Sequence, residues 1–273
     1  MVSQKDVLVA AAVFVVALIS HSEGIMGGTD AVAHSRPYMA SIQMPDGENF
    51  KHECGGFVIA DQWVMTAVHC MPTGPNGRRV VLGVHSLSAS EDTKQIFNIS
   101  ELYNHQGYST YNYDNDIALI KLDRPFNASE AVTVVEFQRA GSAIPGTGTE
   151  VQTAGWGSID NLGTRPDMLK EAVVEVVNPA LCKRSDYFGR KFSSNMMCAH
   201  KLCQERHCDN IDSCDGDSGG PLLYNGIAVG ITSNGGKKCG QRTKPGIYTI
   251  ISHYTQWIDT TMAPQPDATA DQD

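Results

Sequence analysis

The sequence predicts an all-β protein built from antiparallel barrels or sandwiches. From residue 36 onward it consists of short runs rich in Val, Ile, Thr and Tyr, separated by Gly, Pro, Asn and Asp; examples are DIALIKL, EAVVEVV and GIYTII. No sustained helical period interrupts this spacing, which favours antiparallel β architectures. One late segment, ISHYTQWIDTTM, predicts a helix that carries Tyr254, Trp257 and Ile258 on one side.

The first residues predict export from the cell. Lys5 precedes a thirteen-residue apolar run over residues 7–19, which is too short for a comfortable membrane span but typical of a signal-peptide core. A membrane anchor is the alternative. We therefore expect residues 1–24 to be a signal peptide with a possible short propeptide. Residues 25–262 are expected to form the mature domain, and the Pro- and Asp-rich residues 263–273 a disordered acidic tail.

Charge and cysteine content restrict the partners and the compartment. A net charge of −9 gives no general attraction to nucleic acid or to anionic lipid, so neither is expected as a main partner. We expect a secreted, extracellular monomer. Its eight cysteines allow up to four disulfides, although spacing alone leaves 105 pairings open. The sequons at Asn98 and Asn127 are candidate glycosylation sites.

Three short motifs hold residue types that act together in nucleophilic catalysis. TAVHC contains His69, DNDIALIKL contains Asp116, and DSCDGDSGGPL contains Ser218. A serine hydroxyl needs a base within hydrogen-bond reach, and histidine, whose ordinary pKa is about 6.5, suits that role. A buried carboxylate then fixes the histidine tautomer. Each motif alone is also compatible with a structural role, but the three in this order indicate a hydrolytic triad.

With these motifs and their surroundings, the chain resembles the chymotrypsin-like serine proteases over residues 25–262. The resemblance implies two six-stranded antiparallel β-barrels with a C-terminal helix and an active site between the barrels. His69 and Asp116 would belong to the first barrel and Ser218 to the second. The expected enzyme is a serine endopeptidase that needs no cofactor.

The resemblance assigns further residues to the same site. Gly216 and Ser218 match the positions whose backbone N–H groups form the oxyanion hole, and Ser233 matches a serine that donates a hydrogen bond to the triad aspartate. Removing one oxyanion donor typically costs about 2.7–4 kcal/mol of transition-state stabilisation.

The same resemblance predicts which residue is cleaved. Asp212 matches the acid at the base of the primary pocket, and Gly235 and Gly246 match the small residues that leave the pocket walls open. A buried carboxylate at the end of a narrow slot requires a cationic partner, which predicts cleavage after Arg or Lys. The alternative is that Asp212 is an ordinary surface acid.

Family matching also sorts the cysteines. Cys203 and Cys208 lie in an insertion and are expected to form a small extra disulfide, with a zinc site that includes His200 and His207 as the alternative. Val84 stands where calcium-binding relatives carry a liganding glutamate, so no metal is expected. The other implied disulfides are Cys54–Cys70, Cys182–Cys198 and Cys214–Cys239.

Activation in this family depends on a free N-terminal amine. The resemblance implies that the Ile25 ammonium pairs with the Asp217 carboxylate, but Gly24 stands where an activating cut usually has Arg or Lys. Signal peptidase cleavage after Gly24 would free Ile25 directly. Cleavage after Ser20, followed by removal of residues 21–24 as two dipeptides, is the alternative.

Other residues indicate a protease that is restrained at rest. Asn234 stands where most relatives carry a tryptophan, and Lys237 is a candidate to compete with substrate for Asp212. Stretches such as AHSRPYMASIQ, TRPDMLKEAV and KPGIYT resemble members of the family that act in the alternative pathway of complement. This finer resemblance implies one protein substrate, complement factor B bound to the activated third component.

Two other functions remain open at this point. A general trypsin-like or granule protease would use the same mechanism on many substrates, although granule enzymes are often basic. A non-catalytic binding protein on a protease scaffold is the third reading, although such proteins usually lack a triad residue and His69, Asp116 and Ser218 are all present.

Overall fold

The computed structural model describes residues 25–203 and 210–264, so the predicted signal peptide and nearly all of the predicted tail lie outside the described residues. Within those ranges the chain forms the strands β1 (Thr29–Asp30), β2 (Met39–Asp46), β3 (Asn49–Ala60), β4 (Trp63–Thr66), β5 (Arg79–Leu82), β6 (Gln95–Asn104), β7 (Ala118–Leu122), β8 (Glu150–Gly155), β9 (Lys170–Val176), β10 (Met196–His200), β11 (Pro221–Tyr224), β12 (Ile227–Asn234) and β13 (Gly246–Ile250), and the helices α1 (Pro179–Cys182) and α2 (Thr255–Met262).

The first barrel closes on itself with six antiparallel strands. Its strand order is β2-β3-β4-β7-β6-β5, and β2 closes the ring by pairing with β5. Register shifts within the β2–β3 and β3–β4 pairs mark bulges, which bend strands and help a sheet to close. Phe57, Val64 and Leu119 are fully buried in its interior. A closed ring leaves no unpaired sheet edge.

The second barrel is also a closed ring of six antiparallel strands. Its order is β8-β9-β10-β13-β12-β11, and β11 pairs back with β8. Val151, Leu222 and Tyr248 fill its interior. The short strand β1 adds to the outside of this ring by pairing with β9. The predicted fold of two six-stranded antiparallel barrels is therefore confirmed.

The predicted C-terminal helix is also present. The chain makes a 3₁₀ turn over Ile251–Tyr254 and continues as α2. Ile258 is fully buried in the core cluster that fills the first barrel. The His105 ring lies edge-on between Tyr254 and Trp257, with ring centroids 5.1 and 5.2 Å away. The last helix therefore packs against the barrel that the chain built first.

Disulfides fix the segments around the cleft. The structure contains the three pairings that the family resemblance implies, and Cys208 of the expected extra pair with Cys203 lies outside the described residues. The observed bonds are Cys54–Cys70, Cys182–Cys198 and Cys214–Cys239.

The candidate glycosylation sites lie on the surface of the first barrel. Both sequon asparagines, Asn98 and Asn127, are exposed, and the Asn98 amide donates to the Asp123 carboxylate at 2.9 Å. In the part of the chain that the structure describes, no helix combines the length and the apolar character needed to cross a bilayer.

The first barrel's interior predicts a large cost for removing its central aromatic ring. Phe57→Ala should lower the free energy of unfolding by about 3–5 kcal/mol, because it deletes a fully buried ring and leaves a cavity. The matched control is Phe50→Ala, since Phe50 is 37% exposed and mainly supports the Arg79 guanidinium, 3.8 Å from its ring centroid. That change should cost about 1 kcal/mol or less. Denaturant unfolding with intact disulfides measures both, and equal losses would contradict this packing.

Candidate active site

His69 and Asp116 come together at the edge of the first barrel. His69 lies in a 3₁₀ turn after β4, where the Cys54–Cys70 disulfide ties that turn to β3. Asp116 is fully buried just before β7. The His69 ring nitrogen Nδ1 lies 2.7 Å from Asp116 Oδ2, and the His69 backbone N–H donates to Asp116 Oδ1 at 3.1 Å.

The second barrel supplies another donor to the same carboxylate. Ser233 Oγ donates to Asp116 Oδ2 at 2.6 Å. An ionised carboxylate only accepts hydrogen bonds, so His69 must carry its proton on Nδ1. Its Nε2 is then free to accept a proton, as a general base requires. Ser233 thus lies where the sequence places it.

Ser218 is held in a tight turn by contacts between the barrels. The Ser218 carbonyl accepts from the Gly55 N–H at 2.8 Å. Gly219 has a φ of +81°, and a β-carbon there would collide with Gly55 and Thr66 of the first barrel. Only glycine allows this approach. Ser218 and His69 line one cavity of about 350 Å³.

Gly216, the predicted oxyanion residue, is held by a histidine that the sequence analysis did not single out. The His52 ring nitrogen Nε2 lies 2.9 Å from the Gly216 carbonyl oxygen, and Nδ1 lies 2.8 Å from Ser41 Oγ. Burial lowers the pKa of His52 to about 4, so the ring is neutral at physiological pH. A carbonyl only accepts, so Nε2 donates and Nδ1 accepts from the serine.

Asp217 lies in a niche made by backbone alone. It is fully buried, and its carboxylate accepts from the N–H groups of Gly157 and Cys214, both at 2.8 Å. A β-carbon on Gly155 or Gly157 would collide with it. Burial raises its pKa to about 7. Ile25, its predicted partner, is also fully buried, but its nitrogen is an amide while the chain continues to residue 24.

Asp212 is a buried acid in the lining of the cavity that His69 and Ser218 also line. It is only 2% exposed, and burial raises its pKa to about 7. Its carboxylate accepts from the Gly240 and Gly246 N–H groups at 3.0 and 2.9 Å. No ion pair among the described residues involves Asp212, so its carboxylate has no cationic partner there. The cavity therefore suits a cation.

The small residues expected around Asp212 have different surroundings. Gly235 lines the cavity and keeps its wall open, since a β-carbon there would meet nothing closer than 3.7 Å. Gly246 holds the carboxylate through its N–H, and a β-carbon on it would come within 2.8 Å of Asp212 Oδ1. A larger residue at Gly246 would thus displace the acid itself.

Lys237 does not reach the acid with which it was expected to compete. It is exposed on the rim of the cavity, and no described ion pair joins it to Asp212. Arg165, which the sequence analysis did not single out, lies against Gly216.

Arg165 covers one face of Gly216. Its Nη2 donates to Asp215 Oδ2 at 2.7 Å, and a β-carbon on Gly216 would collide with its guanidinium. Asp215 is 82% exposed, and exposed ion pairs are worth about 0–1 kcal/mol. The contact is therefore weak enough for a bound peptide to displace.

The arrangement suits acyl transfer through a serine nucleophile. A base oriented by a buried carboxylate, a neighbouring hydroxyl and a glycine turn lie around one cavity. One group of three metal-ligand side chains, Cys54, His69 and Cys70, occurs in the described part of the chain. Both of its sulfurs are bonded to each other, so they offer no thiolate to a metal.

Comparison with known protein sequences gives one consistent family. A family model described as Trypsin matches residues 25–258. Trypsin of Xenopus laevis is 36% identical over 240 residues, covering 88% of this chain and 91% of that protein. Granzyme M of Rattus norvegicus is 34% identical over 246 residues, covering 89% and 92%. Serine protease 57 of Rattus norvegicus is 34% identical over 237 residues, covering 86% and 81%.

A solved structure supports the same relationship. Neuropsin, described as a serine protease expressed in the limbic system of mouse brain, matches with a TM-score of 0.76 and 32% sequence identity. The match covers 88% of this chain and all of the neuropsin chain.

The buried acid predicts a pH-dependent affinity for cations. Below about pH 7 the Asp212 carboxyl takes up a proton and becomes neutral, so a bound cation loses its charge partner. In the Ser218→Ala variant of the full chain, benzamidine affinity should therefore fall as the pH drops from about 8 to about 5, by up to about tenfold per pH unit below 7. Calorimetric titration measures it. Ser218→Ala/Asp212→Asn should bind weakly at every pH, and a flat profile for Ser218→Ala would contradict the assignment.

Proposed function

The chain belongs to the trypsin family of serine proteases, and we propose that it is a secreted endopeptidase that cleaves after Arg or Lys. One observation carries this proposal: Asp212 is buried and lines the same cavity as His69 and Ser218. A carboxylate in such a place favours a long cationic side chain over an apolar one, because an unpaired buried charge is costly. Its disulfide bonds support an oxidising, extracellular compartment.

In the proposed mechanism the three triad residues act together on one peptide bond. Ser218 Oγ attacks the carbonyl carbon of the cleaved peptide bond while His69 Nε2 takes the hydroxyl proton. The His69–Asp116 hydrogen bond of 2.7 Å stabilises the imidazolium that forms. The N–H groups of Gly216 and Ser218 stabilise the oxyanion. His69 then donates the proton to the leaving amine, and the acyl-enzyme forms. Water next attacks the acyl-enzyme while His69 Nε2 takes its proton, and His69 returns that proton to Ser218 Oγ as the acid product leaves.

Activation is proposed to follow release of the Ile25 amine. Two observations support it: Ile25 is already buried, and the Met26 carbonyl accepts from the Asp212 N–H at 3.1 Å. An ammonium at Ile25 would give the buried Asp217 carboxylate a counter-ion. Because Gly24 precedes Ile25, signal peptidase or a dipeptidyl peptidase fits this site better than a trypsin-like activator.

We further propose the finer identity of a complement factor D-like enzyme. Its substrate would be complement factor B bound to the activated third component. The relatives reported above carry no complement name, so support comes from this chain's own residues. Arg165 lies against Gly216, and Asn234 lines the cavity where relatives carry an aromatic wall. Both features favour low activity before substrate binds. Binding energy from a large substrate would then order the active site.

The matched relatives also support a broader protease. Trypsin and granzyme M are among them, so a general trypsin-like or granule enzyme is the second candidate. A net charge of −9 favours the circulating enzyme over a basic granule protease. The geometry around Asp116 disfavours a purely non-catalytic binding protein, because its hydrogen bonds orient His69 as a base requires.

Replacing the pocket acid predicts a loss of specificity without a loss of fold. Asp212→Ser should lower kcat/KM for Arg substrates by at least about a hundredfold, because the cation would enter a neutral cavity. Melting temperature should stay near that of the parent. Asp92→Ser, at an exposed acid, is the matched control and should keep full activity. Ser218→Ala should abolish all cleavage. Retained Arg cleavage by Asp212→Ser would refute the pocket assignment.

The finer proposal predicts cleavage that depends on a complex. The enzyme with a free Ile25 amine should cut factor B on a gel only when the activated third component is present. Small Arg esters should be hydrolysed slowly. Brisk ester hydrolysis without any factor B cleavage would identify a general trypsin-like enzyme. It would exclude the factor D-like enzyme with low activity at rest.

A further inference from the structure

A second cavity adjoins the one that Asp212 lines. We call it the distal cavity; its volume is about 500 Å³. Five residues line both cavities: Tyr113, Asn234, Gly235, Gly236 and Lys237. The described residues that line the distal cavity are Tyr111, Asn112, Tyr113, Tyr187, Phe188, Lys191, Asn234, Gly235, Gly236, Lys237, Gln241, Lys244 and Ile247.

The distal cavity adjoins the expected path of the substrate segment that precedes the cleaved bond. A substrate side chain that reaches Asp212 brings its own carbonyl carbon to Ser218, which lines the same cavity. The amide nitrogen of that residue lies on the other side of its α-carbon. The preceding residues are therefore expected to leave along Asn234 and Gly235, which line both cavities. Each extended residue advances about 3.3–3.6 Å.

Three lysines surround this cavity and no acid does. Lys191, Lys237 and Lys244 line it, while none of the described lining residues is Asp or Glu. None of these three lysines belongs to an ion pair among the described residues. The chain as a whole carries a net charge of −9, so this local excess of positive charge runs against its average.

Aromatic rings hold two of these lysines beside the cavity. Lys191 Nζ lies 5.1 Å from the Tyr111 ring centroid, and Lys244 Nζ lies 5.1 Å from the Phe188 ring centroid. Contacts of this kind contribute about 0.5–1 kcal/mol at exposed sites. They limit the positions that each ammonium samples, while leaving its hydrogen-bond donors unused by the ring.

A third cavity, on the side of Arg165 and Asp215 where the leaving group is expected, has a different charge balance. It has a volume of about 630 Å³ and includes Asp215 and Arg165. Its charged lining residues are three bases and three acids: Lys51, Arg79, Arg165, Glu53, Asp167 and Asp215. Selection by charge is therefore expected on one side of the cleaved bond only.

We propose that the distal cavity binds the carboxylate of an Asp or Glu that precedes the cleaved Arg or Lys by a few residues. This inference rests on the proposed function, since it names the substrates of the same site. The aromatic rings pack against the aliphatic part of the acidic residue or its neighbour, and the lysines contact the carboxylate. The enzyme then reads one positive and one negative side chain in a fixed order.

Internally quenched peptides test this proposal directly. Each carries one Arg before the cleaved bond, with Glu or its neutral isostere Gln at one of three preceding or three following positions. Glu should raise kcat/KM by about threefold to tenfold at a preceding position and have no effect at any following one. Molar salt should erase the preference, because exposed charges are screened. Equal rates for Glu and Gln at every preceding position would overturn the proposal.

Charge-reversed variants identify the residues responsible. Lys191→Glu/Lys244→Glu should lose or invert the preference for Glu while it still cleaves Gln peptides after Arg. Lys183→Glu is the matched control, since Lys183 is exposed and lines none of the three cavities described above. That control should keep the preference. A double variant that keeps it would exclude the distal cavity as its source.

A binding measurement separates this proposal from the proposed function. Fluorescence anisotropy with the inactive Ser218→Ala variant compares the affinities of the Glu and Gln peptides without any turnover. The Glu peptide could bind more tightly while the enzyme with Ser218 and a free Ile25 amine cuts no Arg peptide. That result would retain the distal site and reject the proposed function. Cleavage after Arg with equal affinities for both peptides would reject the distal site alone.

Discussion

The carboxylate of Asp116 lies where water does not reach, and hydrogen bonds from both barrels hold it there. His69 contributes two donors from the first barrel, and Ser233 contributes one from the second. The Asp116 backbone carbonyl also accepts from Thr249 Oγ1 at 3.1 Å. Burying a charge costs several kcal/mol unless such partners offset it. The barrels must therefore keep one relative position, which is the position that places His69 beside Ser218.

Asp217 imposes a second constraint, which depends on processing. In the unprocessed chain its pKa is raised to about 7 by burial. The neutral form therefore stabilises the fold; this contribution is fully present below the ordinary pKa of about 3.8 and is lost as the pH rises through about 7. In the proposed activation, an Ile25 ammonium would reverse the balance, because it favours the ionised carboxylate. The Asp217 carboxyl would then stabilise the unprocessed fold in acid and the processed fold at neutral pH.

Local motifs allowed the sequence to predict the fold class and the candidate triad. TAVHC and DSCDGDSGGPL carry the identity of their residues and much of their immediate geometry. Contacts between distant segments could not be read in this way. His52 and Gly216 are 164 positions apart, and Arg165 and Asp215 are 50 apart. Nothing in either local pattern signals its partner.

The surroundings of charged residues were the least predictable part. Asp114 lies in a loop before β7, and it accepts from Ser193 Oγ at 2.6 Å and from the Asn195 amide at 3.0 Å, so it links the two barrels. Sequence proximity likewise placed Lys237 near the pocket, but it could not show that backbone N–H groups donate to the Asp212 carboxylate. Cysteine pairing likewise came from the family resemblance rather than from spacing.

The two ends of the described chain cross over between its halves. Strand β1 comes before the first barrel in sequence but adds to the second, and α2 follows the second barrel but packs against the first. Each barrel is therefore completed by an element from the opposite end of the described chain. A ribosome that has made only the first barrel has not yet made the helix that covers it. The chain consequently has a high contact order, and such topologies fold slowly and as one cooperative unit.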